Sequence, residues 1–137
     1  MNGKTAVITE ADFDKLSGLV RSRQGRANYG PLVTALEQEL GRGEVVAPMQ
    51  VAEGVVTMNS RVRVRDLQSN ERETYTLVYP HEASIDHGFL SVLAPLGTAL
   101  LGAKVGDEVE VNAPAGLRRI KVERILYQPE AAGDYHL

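Results

Sequence analysis

The stretch Leu90-Ser91-Val92-Leu93-Ala94-Pro95-Leu96-Gly97-Thr98-Ala99-Leu100-Leu101-Gly102-Ala103-Lys104-Val105-Gly106-Asp107-Glu108-Val109 carries three structural signals in succession. Residues 89–93 are apolar enough for a short strand. Pro95 opens and Gly102 closes the segment 96–101, which is too apolar for a surface helix and reads as a short buried one. Val105-Gly106-Asp107-Glu108 then turns the chain into another strand at 109–111. Strand, buried helix and strand in so little chain describe an α+β domain, with one helix packed on a sheet.

Working outward, Val62 and Val64 alternate with Arg61, Arg63 and Arg65, the pattern of a strand with one wet face. A turn at Gln68-Ser69-Asn70 leads to a second strand over 71–79, and Pro114-Ala115-Gly116 turns into a last one over 120–127. The sum is an antiparallel sheet of about five strands on one short helix. Upstream the period changes. Phe13, Leu16, Leu19 and Val20, then Leu32, Val33, Leu36 and Leu40, recur at helical spacing. Thr9 caps the first helix, with Asp12 as a shortened capping-box acid, and Asp12 and Asp14 complement the dipole there. Pro31 suits the first turn of the second helix, and Gly41 and Gly43 stop it. The polar connection Arg23-Gln24-Gly25-Arg26-Ala27-Asn28-Tyr29-Gly30 is rich in turn formers, so the two helices should form an antiparallel hairpin, a short coiled coil. Residues 44–54 show no period and read as a linker. The expected division is a helical hairpin at 1–46 and a sheet domain at 52–137.

With 137 residues the chain buries one modest core plus an appendage. Its net charge of -3 argues for a protein partner and against strong direct nucleic-acid binding. The absence of cysteine excludes disulfides and thiol catalysis. The beginning, MNGKTAVITEADFDKL, lacks a signal-peptide core, and no apolar run nears the roughly 20 residues that span a bilayer. A cytoplasmic protein without membrane contact is expected. His81 and His87, with Glu82 and Asp86 nearby, read as loop residues and not as metal ligands. Gly41-Arg42-Gly43 lacks the rest of a phosphate loop, so no metal or cofactor is expected.

The 90–109 stretch resembles the C-terminal signature of the Gre transcript-cleavage factors: a strand, a Ser-Pro turn, an A-L-[LI]-G helix and a V-G-D strand start. Thr74-Tyr75-Thr76-Leu77-Val78-Tyr79-Pro80 and Pro114-Ala115-Gly116 match on either side, so the resemblance covers about residues 55–127. Three segments are similar to the Rnk branch, the regulators of nucleoside diphosphate kinase. They are Val56-Thr57-Met58-Asn59-Ser60, Leu77-Val78-Tyr79-Pro80 and the tail Tyr127-Gln128-Pro129-Glu130-Ala131-Ala132-Gly133-Asp134-Tyr135. The resemblance implies an FKBP-like C-terminal domain that docks on RNA polymerase near the outer end of its secondary channel, with the hairpin directed at that channel. It places the docking turn at Leu93, Ala94 and Pro95. Leu93 stands where the family has an acidic residue, so either the expected contact is more apolar or Leu93 is buried in the core and does not touch the partner.

Gre factors carry acidic residues at the hairpin tip that help the polymerase hold a second magnesium ion, as carboxylates do for a hard cation. Here the tip offers Arg21, Arg23 and Arg26, with no Asp or Glu between Arg21 and Pro31. Helices of about 10–14 residues extend only about 15–20 Å, roughly half a Gre hairpin. The expectation is therefore not an enzyme but a non-cleaving regulator that competes with Gre-type factors. The alternative, suggested by the branch name, is direct regulation of nucleoside diphosphate kinase. The tip arginines either meet acidic protein or RNA phosphate, or form a solvated loop. Prolyl isomerisation is not expected, because the chain has no Trp and only two Phe, Phe13 and Phe89. In the tail, Tyr135 and Leu137 are expected to pack back on the sheet.

Overall fold

The alternating valines and arginines form the central strand of a five-stranded sheet. The computed structural model describes residues 6–113 and 116–134, with backbone only at 23–26, 28, 29 and 113. Strands β1 (Val7–Thr9) and β2 (Glu44–Val46) flank helices α1 (Glu10–Arg21) and α2 (Arg23–Arg42). There follow β3 (Arg61–Asp66), β4 (Arg72–Val78), β5 (Phe89–Ser91), α3 (Pro95–Leu100), β6 (Glu108–Ala113), β7 (Gly116–Tyr127) and a short α4 (Pro129–Ala132). The large sheet has the order β5-β4-β3-β7-β6. Its pairings are antiparallel except β4 with β5, which is parallel, a departure from the fully antiparallel expectation. The crossover that permits it runs through 79–88, where two single 3-10 turns form the expected loop.

Val62 and Val64 pair with Ile125 and Val122 and point to the core, while the arginines between them face outward. Register shifts between Arg61 and Val62 and between Arg63 and Val64 mark bulges that strengthen the twist of β7. Helix α3 packs on β6 over the inner face, and the two long helices pack on each other, with α2 also against α3. Leu16, Leu36, Leu77, Leu93, Leu100 and Ile120 are all at most 2% exposed and belong to one apolar cluster, together with Val20, Val33 and Leu40. Each such side chain contributes about 1.5–3 kcal/mol on burial. The helices and the sheet thus share one core.

The hairpin departs from expectation at its tip. Ser22 is extended (φ -68, ψ 139) and ends α1, its N–H and hydroxyl both bonding the Leu19 carbonyl. The chain re-enters a helix at once, so the segment 23–29, expected as a turn, is helical. Gly30 then breaks it with φ 35, ψ -108, and Pro31 begins the second arm, as its missing N–H predicts. The reversal is made by a short helical segment between two breaks. Local turn propensity was overridden because Ser22 and Gly30 alone supply the changes of direction.

Two further features correct the reading. The first part of the linker is β2, which pairs parallel with β1 (Val7 opposite Glu44). Three-residue strands leave too little sequence for a period to show. Asp12 does not complete a capping box. The Thr9 hydroxyl accepts the Asp12 N–H at 3.1 Å, but the carboxylate reaches away to accept the Met58 N–H at 3.0 Å. The acid is 2% exposed and joins α1 to the segment that enters the sheet.

Candidate functional site

The turn ahead of α3 is built by short-range bonds. The Leu93 N–H donates to the Ser91 hydroxyl at 3.1 Å and the Ala94 N–H to the Ser91 carbonyl at 3.0 Å. Pro95 then opens α3, and the Thr98 hydroxyl donates back to the Val92 carbonyl at 2.7 Å. Gly97 is needed because a Cβ there would lie 2.0 Å from the Ser91 carbonyl oxygen. Helix and turn are therefore one rigid unit, held by contacts no larger residue permits.

Within that unit the three turn residues differ. Leu93 is 2% exposed and belongs to the core cluster, Ala94 is half-buried and Pro95 is exposed. Leu93 therefore supports the turn from beneath, and its outward members are Ala94 and Pro95. The unit borders a cleft of about 480 Å³ whose opposite wall is α2, with Leu32, Ala35 and Arg42 facing Pro95 and Ala99. Leu32 is 36% exposed. The contribution of α2 was not read from the sequence. Its only signal was that Leu32 sits beside the buried Val33 at the start of the second arm, too far round the helix to share its face.

Of the tip arginines, Arg21 does not line this cleft. Arg21 is exposed in the last turn of α1, and Arg23 and Arg26 lie in the helical segment beyond Ser22. The side chains of Arg23 and Arg26 lie outside the described residues, as do Tyr135 and Leu137 of the tail. Each helical arm, 10–21 and 31–42, is about 18 Å long at 1.5 Å per residue.

The second half of the family signature fastens the hairpin. Gly102 has φ 77, and a Cβ there would meet Ala6 Cβ at 2.6 Å and Val7 N at 2.7 Å. Its carbonyl accepts the Val7 N–H at 3.2 Å, and its N–H donates to Val56. Asp107 caps the following turn by accepting the Lys104 N–H at 2.9 Å. The tail adds a polar seam. The Thr57 hydroxyl donates to Glu130 at 2.7 Å and bonds Ser60 at 2.8 Å, while the Gln128 amide donates to the Ala52 and Val55 carbonyls.

That seam perturbs the groups beside it. Burial, and then the Glu130 carboxylate, raise the Asp12 pKa to about 6, against the opposing Met58 N–H. Burial, with Asp12 and Glu82 nearby, also pushes the Tyr79 phenol up. At the other end of the sheet, N–H groups of Gln68 and Ser69 and the Arg118 guanidinium hold Asp66 below the usual range. His81 and His87 are exposed, the first stacked on Tyr79 and the second bonded to Ser84 at 2.8 Å. Among the described residues no three His, Asp or Glu side chains come together as metal ligands, and no helix is long and apolar enough to cross a membrane.

Comparisons with known proteins agree with this geometry. Residues 51–127 match the family described as transcription elongation factor, GreA/GreB, C-term. The chain is 40% identical over 139 residues to the regulator of nucleoside diphosphate kinase of Escherichia coli (strain K12), covering 100% of both chains. It is 40% identical over 96 residues to transcription elongation factor GreA of Nautilia profundicola, covering 70% of this chain and 59% of that one. A solved structure described as prokaryotic transcription elongation factor GreA/GreB from Nitrosomonas europaea superposes with a TM-score of 0.74 at 38% identity. It covers 90% of this chain and 99% of that one. By the matched signature, the full-length relative and the shared α+β architecture, the chain belongs to the GreA/GreB C-terminal domain family.

Proposed function

We propose that this chain is a non-cleaving regulator that binds RNA polymerase near the secondary channel and competes there with Gre-type elongation factors. The observation that carries the reading is the pairing of a Gre-type sheet domain with a hairpin of two 12-residue arms whose tip holds no acid. The C-terminal domain, 52–137 and FKBP-like in this reading, supplies the docking surface through Ala94 and Pro95, with Leu93 as their support. The hairpin, 1–46, places Arg21, Arg23 and Arg26 at the channel mouth and delivers no carboxylate to a metal. The chain acts in the cytoplasm, where the polymerase is, and needs no cofactor.

A stalled elongation complex tests this with a fixed amount of Gre factor and increasing amounts of this protein. Transcript cleavage should fall with dose, and Pro95→Ala should weaken the effect without lowering the melting temperature. Unchanged cleavage at saturating protein would refute competition, and cleavage by the protein alone would refute the non-cleaving assignment.

The full-length similarity to a regulator of nucleoside diphosphate kinase supports a second reading, direct control of such a kinase. Affinity capture with the tagged protein separates the two, since polymerase subunits favour the first and the kinase without polymerase favours the second.

A further inference from the structure

The outer face of the large sheet, turned away from α3 and the docking turn, gathers positive charge in a chain whose net charge is -3. Residues opposite one another in a sheet share a face. On β3, Arg63 lies opposite Thr74 of β4 and Arg124 of β7, and Arg65 lies opposite Arg72 and Lys121. These five cations, with Arg61 at the end of β3, surround one carboxylate. Glu123 stands 3.4 Å from Arg65 and 2.9 Å from Arg72. Among the described residues Arg61, Arg63, Lys121 and Arg124 have no ion-pair partner, and Arg63, Lys121 and Arg124 line a shallow depression of about 390 Å³.

We propose that this face is a second interaction surface and that it takes an acidic segment of a protein partner. The chemistry of the face selects among anions. Arg65 and Arg72 already hold a carboxylate, so the geometry that receives one is present within the fold. The aromatic rings of this face, Phe89 and Tyr127, stand in the row of Arg61 at its end, where the Tyr127 hydroxyl is bonded to Asp134. None stands among Arg63, Arg65, Arg72, Lys121 and Arg124, and Tyr75 lies opposite Val62 and therefore on the inner face. Bases would find no stacking platform among those five cations. The patch is also small, about 13 Å along β3 and about 10 Å across three strands. On the β6 side it ends against carboxylates of the same face, Glu108 opposite Lys121 and Glu110 opposite Arg119. A duplex, with a negative charge about every 1.7 Å of its axis, would run onto those acids, whereas a few side-chain carboxylates fit within them.

The test uses a fluorescein-labelled ten-residue oligoglutamate, a ten-nucleotide single-stranded RNA and a ten-base-pair DNA duplex, each titrated by anisotropy at low salt. Oligoglutamate should bind the full chain best, and added salt should weaken it because the charges are exposed. Replacing two unpaired cations, Arg63→Glu with Arg124→Glu, should weaken it on the order of tenfold or more, since two attractions become repulsions. Thermal melts verify that the variant is folded. The milder Arg63→Gln with Arg124→Gln, which should weaken binding less, gives the same test if the reversal disturbs the sheet. Tighter binding of RNA or duplex would overturn the choice of partner. Absence of oligoglutamate binding, or equal binding by folded variants, would overturn the surface. Neither outcome bears on the docking turn, because the face is on the opposite side of the sheet.

Discussion

Asp12→Asn should remove a pH dependence built into the joint between hairpin and sheet. The carboxylate is buried, accepts one N–H from Met58, and has Glu130 and the Tyr79 phenol as neighbours, with Lys15 as the opposing charge. Its pKa is about 6 in the fold against an ordinary 3.8. A folded-state pKa above the unfolded one means that the folded form holds the proton more tightly. The stabilisation is therefore complete below about pH 4 and is lost as pH rises through about 6. A difference of about 2 units corresponds to roughly 3 kcal/mol, at 1.36 kcal/mol per unit. Asparagine keeps an acceptor for Met58 and cannot ionise. Urea unfolding of both proteins from about pH 4 to about pH 7 isolates the effect, because all other titrations are common to both. The stability of Asp12→Asn relative to the parent should rise by roughly 3 kcal/mol across that range. Glu130→Gln should shift the parent's transition to lower pH, since it removes the charge that raises Asp12. A relative stability that stays flat, or falls with pH, would refute the claim that a desolvated carboxylate sits at the joint.

Four other substitutions test the packing. Leu93→Asp puts a carboxylate at a 2% exposed core position and should cost on the order of 4 kcal/mol or more, read as a collapse of the thermal transition, whereas Pro95→Ala should melt near the parent temperature. Gly102→Ala combines an unfavourable φ of 77 with a Cβ 2.6 Å from Ala6 Cβ. It should cost roughly 2–4 kcal/mol and speed hydrogen exchange at the Val7 amide, while normal protection there would contradict the close approach. The Tyr79 hydroxyl is buried with no hydrogen-bond partner among the described residues. Tyr79→Phe should therefore be neutral or stabilising by up to about 1 kcal/mol in urea unfolding, and a clear loss would reveal a bond to that hydroxyl.

What the sequence made legible was whatever repeats or is forced by sterics. β3 alternates over six residues and α1 holds a helical period over 12, so both were readable. Pro95 and Gly102 marked the two ends of the buried helix, the proline because it suits a first helical turn and the glycine because a Cβ does not fit at its position. The parts that stayed hidden depend on partners distant in the chain. β1 and β2 are three-residue strands that exist only because each supplies the other's hydrogen bonds, with Gly102 holding β1 from a third place. The parallel β4–β5 pair needs a crossover, and neither strand's pattern differs from that of a hairpin. Of the cleft beside α3, the wall formed by residues adjacent in sequence was legible, but α2 as the facing wall was not, since Leu32 and Pro95 meet across a cleft that no local period describes. Asp12 shows the same limit most sharply. Local spacing assigned it to its own helix cap, and the cap was half right, because Thr9 does accept the Asp12 N–H. The carboxylate was claimed instead by Met58, 46 residues away, whose N–H lacks a strand partner where the chain enters the sheet. A buried donor that must be satisfied outweighs a surface capping bond worth about 1 kcal/mol. The resulting bond ties the hairpin to the segment that enters the sheet, so the protonation state of Asp12 bears on the stability of that joint.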